Sequence, residues 1–139
     1  MRRAQAAHGA LALAAALAAG CSERPDAAPE TPAPARPAEE YLGVDTRLLD
    51  TDLVSLEVAM AGAPPAEALR AYADCAAARY TLIRGYAFAR HVRTNLAEEG
   101  GKTTADAVYT LSPARPRGVS PLDAAAVVAA CDARGIPTV

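Results

Sequence analysis

Residues 51–85 read TDLVSLEVAMAGAPPAEALRAYADCAAARYTLIRG, and two different periods meet within them. Over 51–61 the side chains alternate, with Val54, Leu56, Val58 and Met60 on one side and Ser55, Glu57 and Ala59 on the other. Successive strand side chains point to opposite faces, so this pattern predicts a strand with one face in a core and one toward water. Gly62-Ala63-Pro64-Pro65 breaks the strand and prepares a helix, because proline in the first turn forfeits an N–H that has no helical acceptor. From Ala66 to Arg84 the larger apolar residues Leu69, Tyr72, Tyr80 and Ile83, with Ala73 and Ala76 between them, follow the spacing of a single helical face. Gly85 suits the left-handed stop of that helix, and Arg84 complements its negative C-terminal end.

Outward from this core, residues 86–95 read as a second strand, with Tyr86, Phe88 and Val92 on the face that also carries Arg90. Glu98-Glu99-Gly100-Gly101-Lys102 is a polar turn, and 104–111 supplies a third strand through Val108, Tyr109 and Leu111. So short a connection predicts an antiparallel hairpin. Ser120-Pro121-Leu122-Asp123 has the hydroxyl, proline and acid of a helix start, and Gly135 closes that helix. The expected order is β-α-β-β-α. The expected architecture is an α+β two-layer sandwich, a three-stranded sheet with two helices on one face.

The N-terminal part has a different composition. Arg2 and Arg3 precede an uncharged Ala/Leu run from Ala10 to Ala19. The run is too short for a hydrocarbon core, which needs roughly twenty residues, and suits the apolar region of an export signal. It ends in Leu17-Ala18-Ala19-Gly20-Cys21, which resembles the lipobox of bacterial lipoproteins, with Ala18 where the commonest form has leucine. The resemblance implies diacylglyceryl transfer to the Cys21 thiol, cleavage after Gly20, and acylation of the freed amine by a fatty acid such as palmitate. Two or three chains anchor durably where one does so marginally. An ordinary secretory signal cut near Ala19 is the alternative. Ser22 is not the aspartate that retains lipoproteins in the inner membrane, so the expected location is the outer membrane, facing the periplasm. Residues 21–40 carry Pro25, Pro29, Pro32, Pro34 and Pro37 among alanines and acids, with no large apolar side chain before Tyr41. Such a segment reads as an extended tether. The expected divisions are a signal at 1–20, the lipidated cysteine and tether at 21–40, and a small domain at 41–139.

Loss of Arg2 and Arg3 with the signal takes the formal charge from −2 to −4. No concentrated basic face of the kind nucleic-acid binders use is evident, so no nucleic-acid partner is expected. With Cys21 assigned to lipid, Cys75 and Cys131 remain, one in each helix. In an oxidising compartment such a pair is expected to form a disulfide; two separate buried thiols are the alternative. His91 lies within Arg90-His91-Val92-Arg93, the one basic cluster of the folded part. Arg90, His91 and Arg93 are therefore candidate binding residues, suited to anionic envelope components. No nucleophile elbow, phosphate loop or metal-ligand spacing accompanies them, so neither catalytic residues, nor a metal, nor a cofactor is expected.

The stretch YADCAAARYTLIRGYAFARHVRTN from Tyr72 to Asn95, the run Asp106-Ala107-Val108-Tyr109-Thr110-Leu111-Ser112-Pro113 and the Cys131…Gly135-Ile136-Pro137-Thr138-Val139 ending resemble a family of small, uncharacterised lipoproteins from Rhodobacter-like alphaproteobacteria. That resemblance implies an envelope location and transfers no catalytic residue. The functional expectation is a membrane-anchored periplasmic lipoprotein, a non-catalytic binding or structural module for an envelope protein or polymer. The alternative is a small-ligand binder or enzyme with its site near His91 and Arg93.

Overall fold

The computed structural model describes residues 38–118 and 120–139. They lie within the unit Pro34–Val139. The expected signal at 1–20, the lipidation site Cys21 and all but the last residues of the tether lie outside the described residues.

Seven elements follow one another: β1 (Glu40–Asp50), β2 (Leu53–Ala61), α1 (Ala66–Ile83), β3 (Phe88–Glu99), β4 (Lys102–Ser112), β5 (Leu122–Asp123) and α2 (Ala124–Arg134). The strands form one curled sheet in the order β1-β2-β4-β3-β5, with every neighbouring pair antiparallel. The expected three-stranded sheet and β-α-β-β-α order are therefore wrong: two further strands extend the sheet. The first, β1, escapes the alternation test because register shifts fall between Tyr41 and Gly43 and between Leu48 and Asp50. Each shift moves the following side chains to the other face, so the apolar residues lose their period of two. The second, β5, is only two residues long. Leu122 and Asp123 read as a first helical turn but pair with Ala89 and Phe88 of β3. Asp123 is then the helix cap, its carboxylate accepting from the Ala126 N–H at 3.2 Å.

The core lies between α1 and one face of the sheet. Val54, Leu56, Val58 and Met60 from β2, and Ala105, Ala107, Tyr109 and Leu111 from β4, are buried against Leu69, Tyr72, Ala73, Ala76 and Ala77 of α1. The small side chains of α1 let the helix approach the sheet closely, and Tyr72 and Tyr109 are the largest buried side chains. At Gly100-Gly101 both φ angles are positive (60° and 78°), as a two-residue hairpin between β3 and β4 requires, so glycine stands there without strain. α2 packs on α1 and β5 through a small patch of Ala78, Ala124, Val127 and Val128. Cys75 and Cys131 are joined by a disulfide, their Cα atoms 5.9 Å apart. Arg79 reaches Asp132 at 3.5 Å across the same helix pair. Among the described residues, no helix is long and apolar enough to cross a membrane.

Candidate functional site

With α1 on one side, the opposite face of the sheet is left without a described element packed on it. Register decides what this open face displays. Asp45 stands opposite Glu57, and Glu57 opposite Asp106, so β1, β2 and β4 contribute a continuous row of carboxylates. In the next row Arg47 faces Ser55, Ser55 faces Val108, and Val108 faces Arg93. A shallow polar depression of about 460 Å³ lies over these rows, lined among others by Asp45, Arg47, Ser55, Glu57, Arg93 and Asp106.

Asp106 is the best-fixed group of the row. The Ser55 hydroxyl donates to its Oδ1, and Arg93 Nη1 donates to its Oδ2 at 2.9 Å. The Ser55 hydrogen bond, with the charges of Arg93 and Arg47, holds this carboxyl below the ordinary range against the opposing effect of partial burial. Asp45 and Glu57 have no such partner among the hydrogen bonds and ion pairs of the described residues. Like charges on directly opposite strand positions are destabilising. The row therefore costs the fold stability and presents negative charge to solvent beside two guanidinium groups.

The basic cluster of β3 does not act as one unit. A register shift between His91 and Arg93 makes Val92 an extra residue in the strand. His91 pairs with Tyr109 on the helix-covered face, whereas Arg93 pairs with Val108 on the open one. Arg90 shares the open face and donates from Nε to Thr110 Oγ1 at 3.3 Å. Arg90 and Arg93 thus come together on one side, and His91 stands on the other.

His91 belongs to a second, smaller constellation. Its ring meets Tyr109 edge-on, with centroids 5.3 Å apart, and its Nε2 lies 2.7 Å from Thr94 Oγ1. The Tyr109 hydroxyl donates to Asp74 Oδ1 at 2.7 Å. Burial pushes the Asp74 carboxyl up, while the Tyr109 hydrogen bond and the nearby His91 act in the other direction. Tyr109 is itself pushed strongly up by burial and by the Asp74 charge, so it remains a hydrogen-bond donor throughout the ordinary pH range. The buried hydroxyl and its acceptor satisfy each other, and no buried side-chain polar atom among the described residues lacks a partner. Nor do three His, Cys, Asp or Glu side chains among the described residues gather to hold a metal ion.

Of the open-face residues, Ser55 and Glu57 were legible as the solvent side of an alternating strand. Asp45, Arg47 and Asp106 were not singled out by sequence, because nothing local says which strands lie side by side. Asp74 and Tyr109, 35 residues apart, meet only through the packing of α1 on β4.

Comparison with known proteins places these elements in a family. An uncharacterized 26.9 kDa protein in the nqo8 5′ region of Paracoccus denitrificans is 35% identical over 85 residues, 61% of this chain. The match covers 33% of that relative, so the chain spans only about a third of its length. No solved structure matches. The family model for the YNQ4 C-terminal domain matches residues 41–135, from the start of β1 to the end of α2 and therefore over most of the chain. The chain belongs to the YNQ4 C-terminal domain family.

Proposed function

We propose that this protein is an exported lipoprotein, anchored at Cys21 in the outer membrane and facing the periplasm, whose domain is a non-catalytic binding module. In this reading the open sheet face takes a charged segment of an envelope protein or polymer. The observation that carries it is the row Asp45, Glu57 and Asp106, flanked by Arg47 and Arg93. A surface that retains mutually repelling carboxylates next to Arg47, which makes no hydrogen bond or ion pair among the described residues, is poor for stability and well suited to a partner of alternating charge. The disulfide between Cys75 and Cys131 supports the compartment, since such bonds persist where the surroundings are oxidising.

Anchoring and binding are tested separately. An inhibitor of the lipoprotein signal peptidase should cause a larger precursor to accumulate, and intact mass should place acyl chains on Cys21. An unmodified product cut elsewhere overturns the anchor. A photo-reactive residue at Glu57 should give discrete adducts in whole cells that Arg93→Glu abolishes. Adducts indifferent to Arg93→Glu refute the binding face.

A second reading, a small-ligand site at His91, draws on the edge-on contact with Tyr109 and the Asp74 carboxylate behind it. It requires the imidazole resonances of His91 to shift on addition of an anionic ligand. An unchanged imidazole resonance across millimolar concentrations of such ligands removes it.

A further inference from the structure

The two borders of the sheet are not alike. At one, β5 pairs only with Phe88 and Ala89, leaving the rest of β3 as the edge. That edge carries Arg90, His91, Arg93, Glu98 and Glu99 and the irregularity at Val92, the usual means of discouraging strand addition. At the other border, β1 pairs among the described residues with β2 alone, and it has neither lysine nor proline in its eleven residues. Tyr41, Leu42, Leu48 and Leu49 on this strand are all exposed large apolar side chains. The two register shifts of β1 lie near its ends and leave a regular run from Gly43 to Leu48.

Within that run the sequence is complementary to itself. Reversed about Thr46, Asp45 falls opposite Arg47, and Val44 falls opposite Leu48. We propose that β1 pairs antiparallel with β1 of a second copy about a two-fold axis at Thr46, so that one sheet runs through both chains. The charges of the monomer favour this register. Arg47 of the second copy continues the row Asp45–Glu57–Asp106 with the cation it lacks, and Asp45 of the second copy continues the row that begins at Arg47. On the helix side, Val44 of one copy covers Leu48 of the other. A two-fold perpendicular to the sheet keeps both open faces on the same side, and every contact occurs twice. Main-chain hydrogen bonds along the free edge supply affinity, and the Asp–Arg pairs set the register.

The test uses the full-length chain in intact cells and after detergent extraction. Thr46→Cys places a thiol opposite itself across the axis and should give a disulfide-linked dimer on non-reducing gels. Leu96→Cys, on the free edge of β3, should give none. Light scattering of the extracted wild-type chain, corrected for detergent, should give the mass of two copies. Asp45→Arg sets arginine against arginine in both symmetric pairs and should weaken the dimer about tenfold. The same change places arginine opposite Glu57 within the monomer, so the fold is not put at risk. Adding Arg47→Asp restores complementarity and should recover most of the lost affinity. A monomeric wild-type mass overturns the proposal, as does equal crosslinking at Leu96→Cys. Failure of the double exchange to rescue the single one overturns the register, and capture of a different protein at Thr46→Cys overturns the choice of partner.

Discussion

Replacing the disulfide by alanines, Cys75→Ala with Cys131→Ala, separates what the bond does for the whole domain from what it does for α2. The bridge joins cysteines 56 positions apart in the chain. Loop-closure entropy for that length is worth about 4 kcal/mol at room temperature. A domain of this size has a total stability of about 5–15 kcal/mol, so the bridge accounts for a large fraction of it. For roughly one hundred residues, 4 kcal/mol corresponds to a fall in Tm of about 20 °C. The cost need not be uniform. α2 rests on Ala78 of α1 through Ala124, Val127 and Val128, with one partly exposed ion pair between Arg79 and Asp132, whereas α1 is held by the whole core. Without the covalent tie, α2 should open at lower free energy than the sheet. Thermal unfolding should therefore show the large drop, and hydrogen exchange should show amides of Ala126–Arg134 losing protection before those of β2 and β4. A stability loss under about 1 kcal/mol, with α2 amides as protected as before, refutes the reasoning, because an effective constraint of this length costs more than that to remove.

Other consequences follow from particular groups. Asp74 has a raised folded-state pKa, so its protonated form favours the fold in acid, and that contribution is lost as pH rises through the folded value. Asp74→Asn keeps an acceptor for Tyr109 and removes the buried charge. It should raise Tm at pH 7, with the gain shrinking toward about pH 4; a pH-independent difference contradicts this. Asp106 has a lowered pKa, so the stability it confers is present above the ordinary carboxylate range and lost as pH falls through the folded value. Asp106→Asn should be less stable than wild type at neutral pH, with the two melting curves converging in acid. Glu57→Gln takes the middle charge from the carboxylate row and should stabilise the domain by about 0.2–1 kcal/mol in urea titrations while weakening partner adducts. Gly62 has a φ of 87°, and a Cβ there would collide with the Ala38 carbonyl. Gly62→Ala should cost about 2 kcal/mol or more, read as a fall in Tm of about 10 °C.

Several parts of this protein were legible from neighbouring residues alone. The alternation in 53–61 set which face of β2 is buried, and the three-and-four spacing put Leu69, Tyr72, Ala73 and Ala76 on the side of α1 that meets it, whereas Ile83, expected on the same side, is exposed at the end of the helix. Gly100-Gly101 marked the β3–β4 hairpin, and two cysteines, in a chain expected to be exported, pointed to each other. Each is a local property, in which backbone geometry turns spacing along the chain into a face or a turn. What needed the folded molecule is what depends on register. β1 lost its period to two shifts near its ends, and β5 became a strand because β3 offered Phe88 and Ala89 to pair with. One extra residue, Val92, put Arg93 on the opposite side of the sheet from His91. Asp45, Glu57 and Asp106 are neighbours because β4, separated in the chain from β1 and β2 by α1 and β3, meets them in one alignment. Side-chain period records which way a residue points, whereas the pairing of strands decides what stands beside it.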